Sequence, residues 1–69
     1  MDNETIETLI AVMADLYKME AFFNRELEQY QILYEEMKLE VIEESIATIQ
    51  MQLATILRNI TKLEIILSM

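Results

Sequence analysis

Carboxylates are the most numerous side chains in this sequence that could take part in chemistry. Thirteen Asp and Glu residues stand against five Lys and Arg, and there is no His, Cys or Gly. A di-iron site in a helical bundle requires Glu-x-x-His pairs, and a calcium-binding loop requires a central glycine. We therefore expect the acidic run at 35–44 to be a solvated surface and not a metal site.

Nucleophilic chemistry is no better supported. The Ser and Thr hydroxyls have no His to act as a base, and the chain has no Cys and no glycine-rich phosphate loop. The sequence predicts no enzyme activity, no cofactor, no bound metal and no small-molecule substrate. Five basic residues scattered among thirteen acidic ones cannot form a positive stripe, so we expect no nucleic-acid binding.

The hydropathy pattern predicts neither a membrane span nor a secretory signal. The start, MDNETIET, is acidic and polar, and the apolar last 24 residues are repeatedly interrupted by polar and charged side chains. A span needs about 18 or more uncharged apolar residues in a row. We expect a cytoplasmic protein that forms a single small domain over residues 1–69.

Apolar residues recur at alternating steps of three and four, which is the spacing of a helical seam. The first seam is Ile6, Leu9, Met13, Leu16, Phe23, Leu27, Tyr30, Tyr34 and Met37, with Glu20 at one of its positions. The second seam is Ile42, Ile46, Ile49, Leu53, Ile56, Ile60, Leu63 and Leu67. Glu20 either reaches solvent from an open part of the seam or pairs with a base of a neighbouring chain.

The two seams do not share a register, and this predicts a turn. Continuing the first seam beyond Met37 leads to Val41, Glu44 and Thr48, and the last two of these are polar. The stretch 36–45 is also crowded with carboxylates, and Ser45 is a candidate N-cap for a second helix. We predict an all-α helical hairpin whose turn lies within 36–45. The alternative is a three-helix bundle with a further break near Asn24.

The second helix is predicted to be apolar on more than one stripe, because Met51, Leu57 and Ile65 lie outside its seam. One partner helix covers only one side of such a helix, and the other side needs a second chain. With no disulfide or zinc to stabilise a small fold, we expect self-association, most simply two hairpins forming a four-helix bundle. The two seams would supply the core of that dimer.

Two sets of residues in the first half of the chain could bind a different protein. The acidic set is Glu26, Glu28, Glu35, Glu36 and Glu40, and the apolar strip is Val12, Met19 and Phe22. The acidic set could equally be ordinary solubilising charge, and the strip could equally be a lateral contact inside the four-helix core.

These features predict a small self-associating regulator or adaptor without catalytic activity. One alternative is an acidic inhibitor that imitates nucleic acid and occupies a basic site on another protein. A second alternative is a structural oligomerisation module. Salt separates the first two, because binding by charge mimicry weakens steeply with ionic strength and apolar docking does not.

Overall fold

A computed structural model describes residues 1–69 as two long helices joined by a two-residue turn. Helix α1 spans Asn3–Met37 and helix α2 spans Glu40–Leu67. The prediction of a helical hairpin with its turn inside 36–45 is confirmed. The alternative break near Asn24 is wrong, because α1 runs through this residue without interruption.

The turn is built without glycine or proline. Lys38 adopts the left-handed conformation, with φ 53° and ψ 34°, and its backbone N–H donates to the Tyr34 carbonyl at 2.7 Å. Leu39 is extended, with φ −86° and ψ 133°. One left-handed residue followed by one extended residue reverses the chain, which explains how so short a link joins two antiparallel helices.

The start of α1 is capped by the side chain of Asp2. The Asp2 carboxylate accepts a hydrogen bond from the Thr5 backbone N–H at 2.7 Å, which satisfies one of the free donors of the first turn. That backbone hydrogen bond lowers the pKa of Asp2 below its usual value, because it favours the charged carboxylate.

Ser45 is not the N-cap of α2, and this expectation was wrong. The helix begins at Glu40, and the N-cap position is Leu39, whose side chain makes no capping hydrogen bond. Ser45 lies one turn further on and donates its hydroxyl to the Val41 carbonyl at 3.0 Å. The helix extends back to the turn because the left-handed Lys38 already ends α1 there.

The two predicted seams face each other along the hairpin. In α2 the buried residues are all seam residues: Ile42, Ile49, Leu53, Ile56 and Ile60. The seam of α1 is half-buried, and α1 contains no fully buried residue. Met37 departs from the predicted seam, because it is 53% exposed at the last position of α1.

The molecule is a rod of 52 × 14 × 14 Å. The chain has only two helices, so each helix touches one neighbour, and the two sides of the hairpin flanking their contact lie open.

Candidate interaction surfaces

The helices engage most of their hydroxyl groups with their own backbone. Thr8, Thr48, Thr55 and Thr61 each donate to the carbonyl four residues earlier, at 2.9–3.2 Å. A hydroxyl held in this way satisfies a local carbonyl and faces no base. No three acidic side chains gather closely enough to hold a metal ion. The surfaces described below are the two open sides of the hairpin.

One open side carries a groove near the middle of the rod. The groove has a volume of about 350 Å³ and is lined by Met19, Phe23, Met51, Gln52, Thr55 and Ile56. A second groove of about 360 Å³, closer to the turn, is lined by Tyr30, Val41, Glu44, Ser45, Thr48 and Ile49. The seam residues that line the two grooves are seven positions apart in each helix, Phe23 and Tyr30 in α1 and Ile49 and Ile56 in α2. The two grooves therefore open on the same side of the hairpin.

We call this side the methionine face. Helical spacing adds to the groove residues the exposed Val12 and Phe22, together with Leu33, Asn59 and Ile66. Its charged residues are Asp15, Glu26, Glu36, Glu44, Arg58 and Lys62. This face therefore carries four carboxylates and two bases, whereas the residues that line its mid-rod groove are all uncharged.

The opposite side is joined by two hydrogen bonds between the helices. The Tyr17 hydroxyl donates to Glu64 Oε1 at 3.0 Å, and the Tyr34 hydroxyl donates to Glu43 Oε2 at 3.3 Å. The hydrogen bond to Glu64 raises the pKa of Tyr17, and the nearby charge of Glu43 raises the pKa of Tyr34. Both carboxylates favour the neutral phenol, because a phenolate beside them would be repelled.

We call this side the tyrosine face. Helical spacing places on it the exposed side chains of Ile10, Ala14, Tyr17, Ala21, Asn24, Gln50, Ala54 and Leu57. It also holds six carboxylates, those of Glu7, Glu28, Glu35, Glu40, Glu43 and Glu64, and its helical residues include no Lys or Arg. Lys38 stands at its turn end, with Nζ 5.3 Å from the centre of the Tyr34 ring.

The hairpin uses the predicted self-association residues within one chain. The α2 seam residues are buried or half-buried against α1, and Leu9, Met13, Leu16, Phe23, Leu27 and Tyr30 are half-buried opposite them. A second chain would therefore meet the margins of these seams and not their centres. Their contribution to an oligomer core stays a prediction.

The predicted partner surface is divided between the two faces. Val12, Met19, Phe22, Glu26 and Glu36 belong to the methionine face, and Glu28, Glu35 and Glu40 belong to the tyrosine face. Glu26 is half-buried, whereas the others are exposed. The apolar strip and three of the five acidic residues thus lie on opposite sides of the hairpin.

Sequence reasoning missed the mid-rod groove and the two tyrosine–carboxylate bonds. Tyr17 and Glu64 are 47 positions apart, and only the register of the antiparallel helices brings them together. A partial signal was available, because Met19 lies beside the first seam and Gln52 and Thr55 lie beside the second. The position of the turn is what aligns them.

Neither helix contains a stretch long and apolar enough to cross a bilayer.

Comparisons of the chain with protein-family models, with curated proteins and with solved structures gave no match.

Proposed function

We propose that this chain is a non-catalytic protein–protein interaction module. Two hairpins pair into a four-helix bundle, and the acidic surface left outside binds another protein in a regulatory or adaptor role. The observation that carries self-association is the amount of surface that a single hairpin leaves exposed.

That surface is larger than a compact chain of this mass presents. The hairpin exposes 5338 Å², whereas a folded monomer of 8.2 kDa exposes about 4,500 Å². The difference of about 800 Å² equals the area that each partner contributes to a protein–protein interface of standard size. Only five of 69 residues are buried, so the excess includes large apolar side chains on both sides of the hairpin.

Sedimentation equilibrium over a hundredfold concentration range tests self-association. We expect a mass twice the 8.2 kDa of one chain. Small-angle scattering of the same samples should give a longest dimension close to the 52 Å of the hairpin, because the second copy lies alongside the first. A particle of single-chain mass at every concentration would contradict self-association, and a length near 100 Å would contradict side-by-side pairing.

Exposed negative charge supports the acidic inhibitor as a second candidate. Eleven of the thirteen acidic residues are exposed, the exceptions being Glu20 and Glu26. A synthetic amphipathic helix with lysines on its polar face is a suitable probe, titrated calorimetrically at low and high ionic strength. Affinity that falls steeply with salt favours charge mimicry, and affinity that persists favours an apolar docking site.

A further inference from the structure

We propose that a second copy of this chain docks on the methionine face, with the two hairpins antiparallel and their turns at opposite ends. This inference rests on the proposed self-association and adds the face, the orientation and the residues at the centre of the contact. Charge, apolar surface and position along the rod each support it.

Charge disfavours self-pairing through the tyrosine face relative to the methionine face. Two copies meeting there would bring together six helical carboxylates from each chain, and the only nearby base would be Lys38 at one end. Like charges at close range in an interface oppose association and are costly once water is removed. The bases Lys18 and Arg25 lie on the outer edge of α1, and Arg58 shares the heptad position of Met51, so all three are too far round the helices to neutralise the tyrosine face.

The methionine face has the composition of a helix–helix interface. Its centre consists of Met19, Phe22, Met51, Gln52 and Thr55, none of which is charged. The exposed aromatic ring of Phe22 stands at its edge and packs edge-on against the ring of Phe23, with centroids 5.4 Å apart. Met and Phe side chains of this kind are enriched in the cores of interfaces, whereas Glu and Asp are depleted there.

The mid-rod groove lies at the position that a symmetric dimer of two overlapping hairpins requires. Met19 and Phe23 are near the midpoint of α1, and the groove residues of α2 are near the midpoint of that helix. In a two-fold dimer the same patch faces itself, so two fully overlapping rods place one mid-rod groove opposite the other. Phe22 and Met19 of each copy then stand beside the groove of the partner and can fill it.

Electrostatics selects the orientation of the pair. The stretch 26–45 around the turn holds seven carboxylates against the single base Lys38. Turns at the same end would place two such clusters side by side, whereas turns at opposite ends separate them by most of the 52 Å rod. That separation is several times the screening length of about 8 Å at physiological salt.

A matched pair of substitutions tests the face. Phe22 and Leu57 are each 49% exposed and lie near mid-rod, the first on the methionine face and the second on the tyrosine face. Phe22→Glu and Leu57→Glu each add one negative charge. By sedimentation equilibrium we expect Phe22→Glu to raise the dimer dissociation constant at least ~30-fold, as for an interface hot spot, and Leu57→Glu to raise it less than ~3-fold.

A second measurement does not depend on the charged variants folding. The chain has no cysteine, so single spin labels can be attached at Gln50→Cys on the tyrosine face and Gln52→Cys on the methionine face. We expect the label at 52 to lose mobility as the dimer forms and the label at 50 to stay mobile. A label at Leu39→Cys in the turn should show an intermolecular distance of about 50 Å, because each rod is 52 Å long.

The possible results distinguish a failure of this inference from a failure of the proposed self-association. A dimer weakened by Leu57→Glu and not by Phe22→Glu, or immobilisation at 50 and not at 52, overturns the choice of face and leaves self-association standing. A distance below about half the 52 Å rod length between labels at residue 39 overturns the antiparallel orientation alone. A wild-type monomer at every concentration overturns both proposals and leaves the methionine face for a different protein.

Discussion

At the scale of single residues, Lys38 controls how the chain reverses. It is the only residue in the chain with a positive φ, and it has a side chain where helices commonly place glycine. The left-handed conformation costs a residue with a Cβ roughly 1–2 kcal/mol. The Lys38 ammonium group lies over the Tyr34 ring at 5.3 Å, and such a cation–π contact offsets part of that cost, about 0.5 kcal/mol at an exposed site.

This leads to a prediction for two substitutions at one position. Lys38→Gly and Lys38→Ala both remove the charge and the cation–π contact, but only glycine relieves the left-handed backbone. We expect the glycine variant to be more stable than the alanine variant by about 1 kcal/mol, measured by urea unfolding. Equal stabilities would show that the turn in solution does not use a left-handed residue at 38.

The two tyrosine–carboxylate hydrogen bonds are a second feature at the scale of residues. They join α1 to α2 through polar side chains, and neither of them is an ion pair. The raised pKa values of Tyr17 and Tyr34 mean that the folded hairpin favours the neutral phenols. Their contribution to stability is therefore complete below pH 10, the ordinary value of a tyrosine, and is lost as the pH rises above it. These bonds thus help to hold the hairpin across the physiological pH range.

At the scale of elements, the two helices contribute unequally. Helix α2 supplies all five buried residues, and α1 covers them with a half-buried stripe that is interrupted by Glu20. Isoleucine and leucine at 4–8% exposure stabilise the hairpin by removing apolar surface from water, which is worth about 1.5–3 kcal/mol for each side chain. The stability of the hairpin thus depends chiefly on the α2 seam.

Ile56→Asp is the substitution that tests this dependence. Ile56 is 5% exposed, so the change places an unpaired carboxylate in the seam, and we expect a loss of at least about 3 kcal/mol. Circular dichroism at 222 nm should show an unfolded chain. Gln50→Asp, at an exposed position of the same helix, adds the same charge and should leave the helical signal unchanged. A fully helical Ile56→Asp variant would reject the α2 seam as the core.

At the scale of the whole molecule, a single hairpin is a marginal fold. An unfolded chain of 8.2 kDa exposes about 11,900 Å², so a hairpin that exposes 5338 Å² buries about 55% of it. That fraction is below the roughly 60% buried by compact domains of about 60 residues. Ordering costs conformational entropy for every residue, and a second copy adds burial with little further ordering of the backbone.

The melting temperature should therefore depend on protein concentration. If folding and dimerisation are coupled, a hundredfold increase in concentration stabilises the dimer by about 2.7 kcal/mol, which raises the melting temperature by about 5–10 °C. Circular dichroism melts across that range measure the effect, with Phe22→Glu as the dimer-weakened comparison. A melting temperature that is the same at all concentrations would mean that one hairpin is stable alone.

Much of this architecture follows from the sequence alone, and the reason is periodicity. The alternating three-and-four spacing identified both helices and their core stripes, from Ile6 to Tyr34 and from Ile42 to Leu67, because a helix returns to the same face every 3.6 residues. The loss of register after Met37 located the turn for the same reason. The composition, which lacks His, Cys and Gly, also led to the expectation of no catalytic activity, and this stays a prediction.

Only the tertiary structure decided which residues within 36–45 form the turn and what the chain reversal brings together. Without Gly or Pro, several residues in 36–45 could have formed the turn, and Ser45 carried a misleading capping signal. The left-handed Lys38 and extended Leu39 set the register of α2 against α1. That register pairs Tyr17 with Glu64 and assembles the groove between Met19 and Met51. Contacts between two helices depend on how far one is shifted along the other, and the apolar periodicity within each helix does not encode this shift.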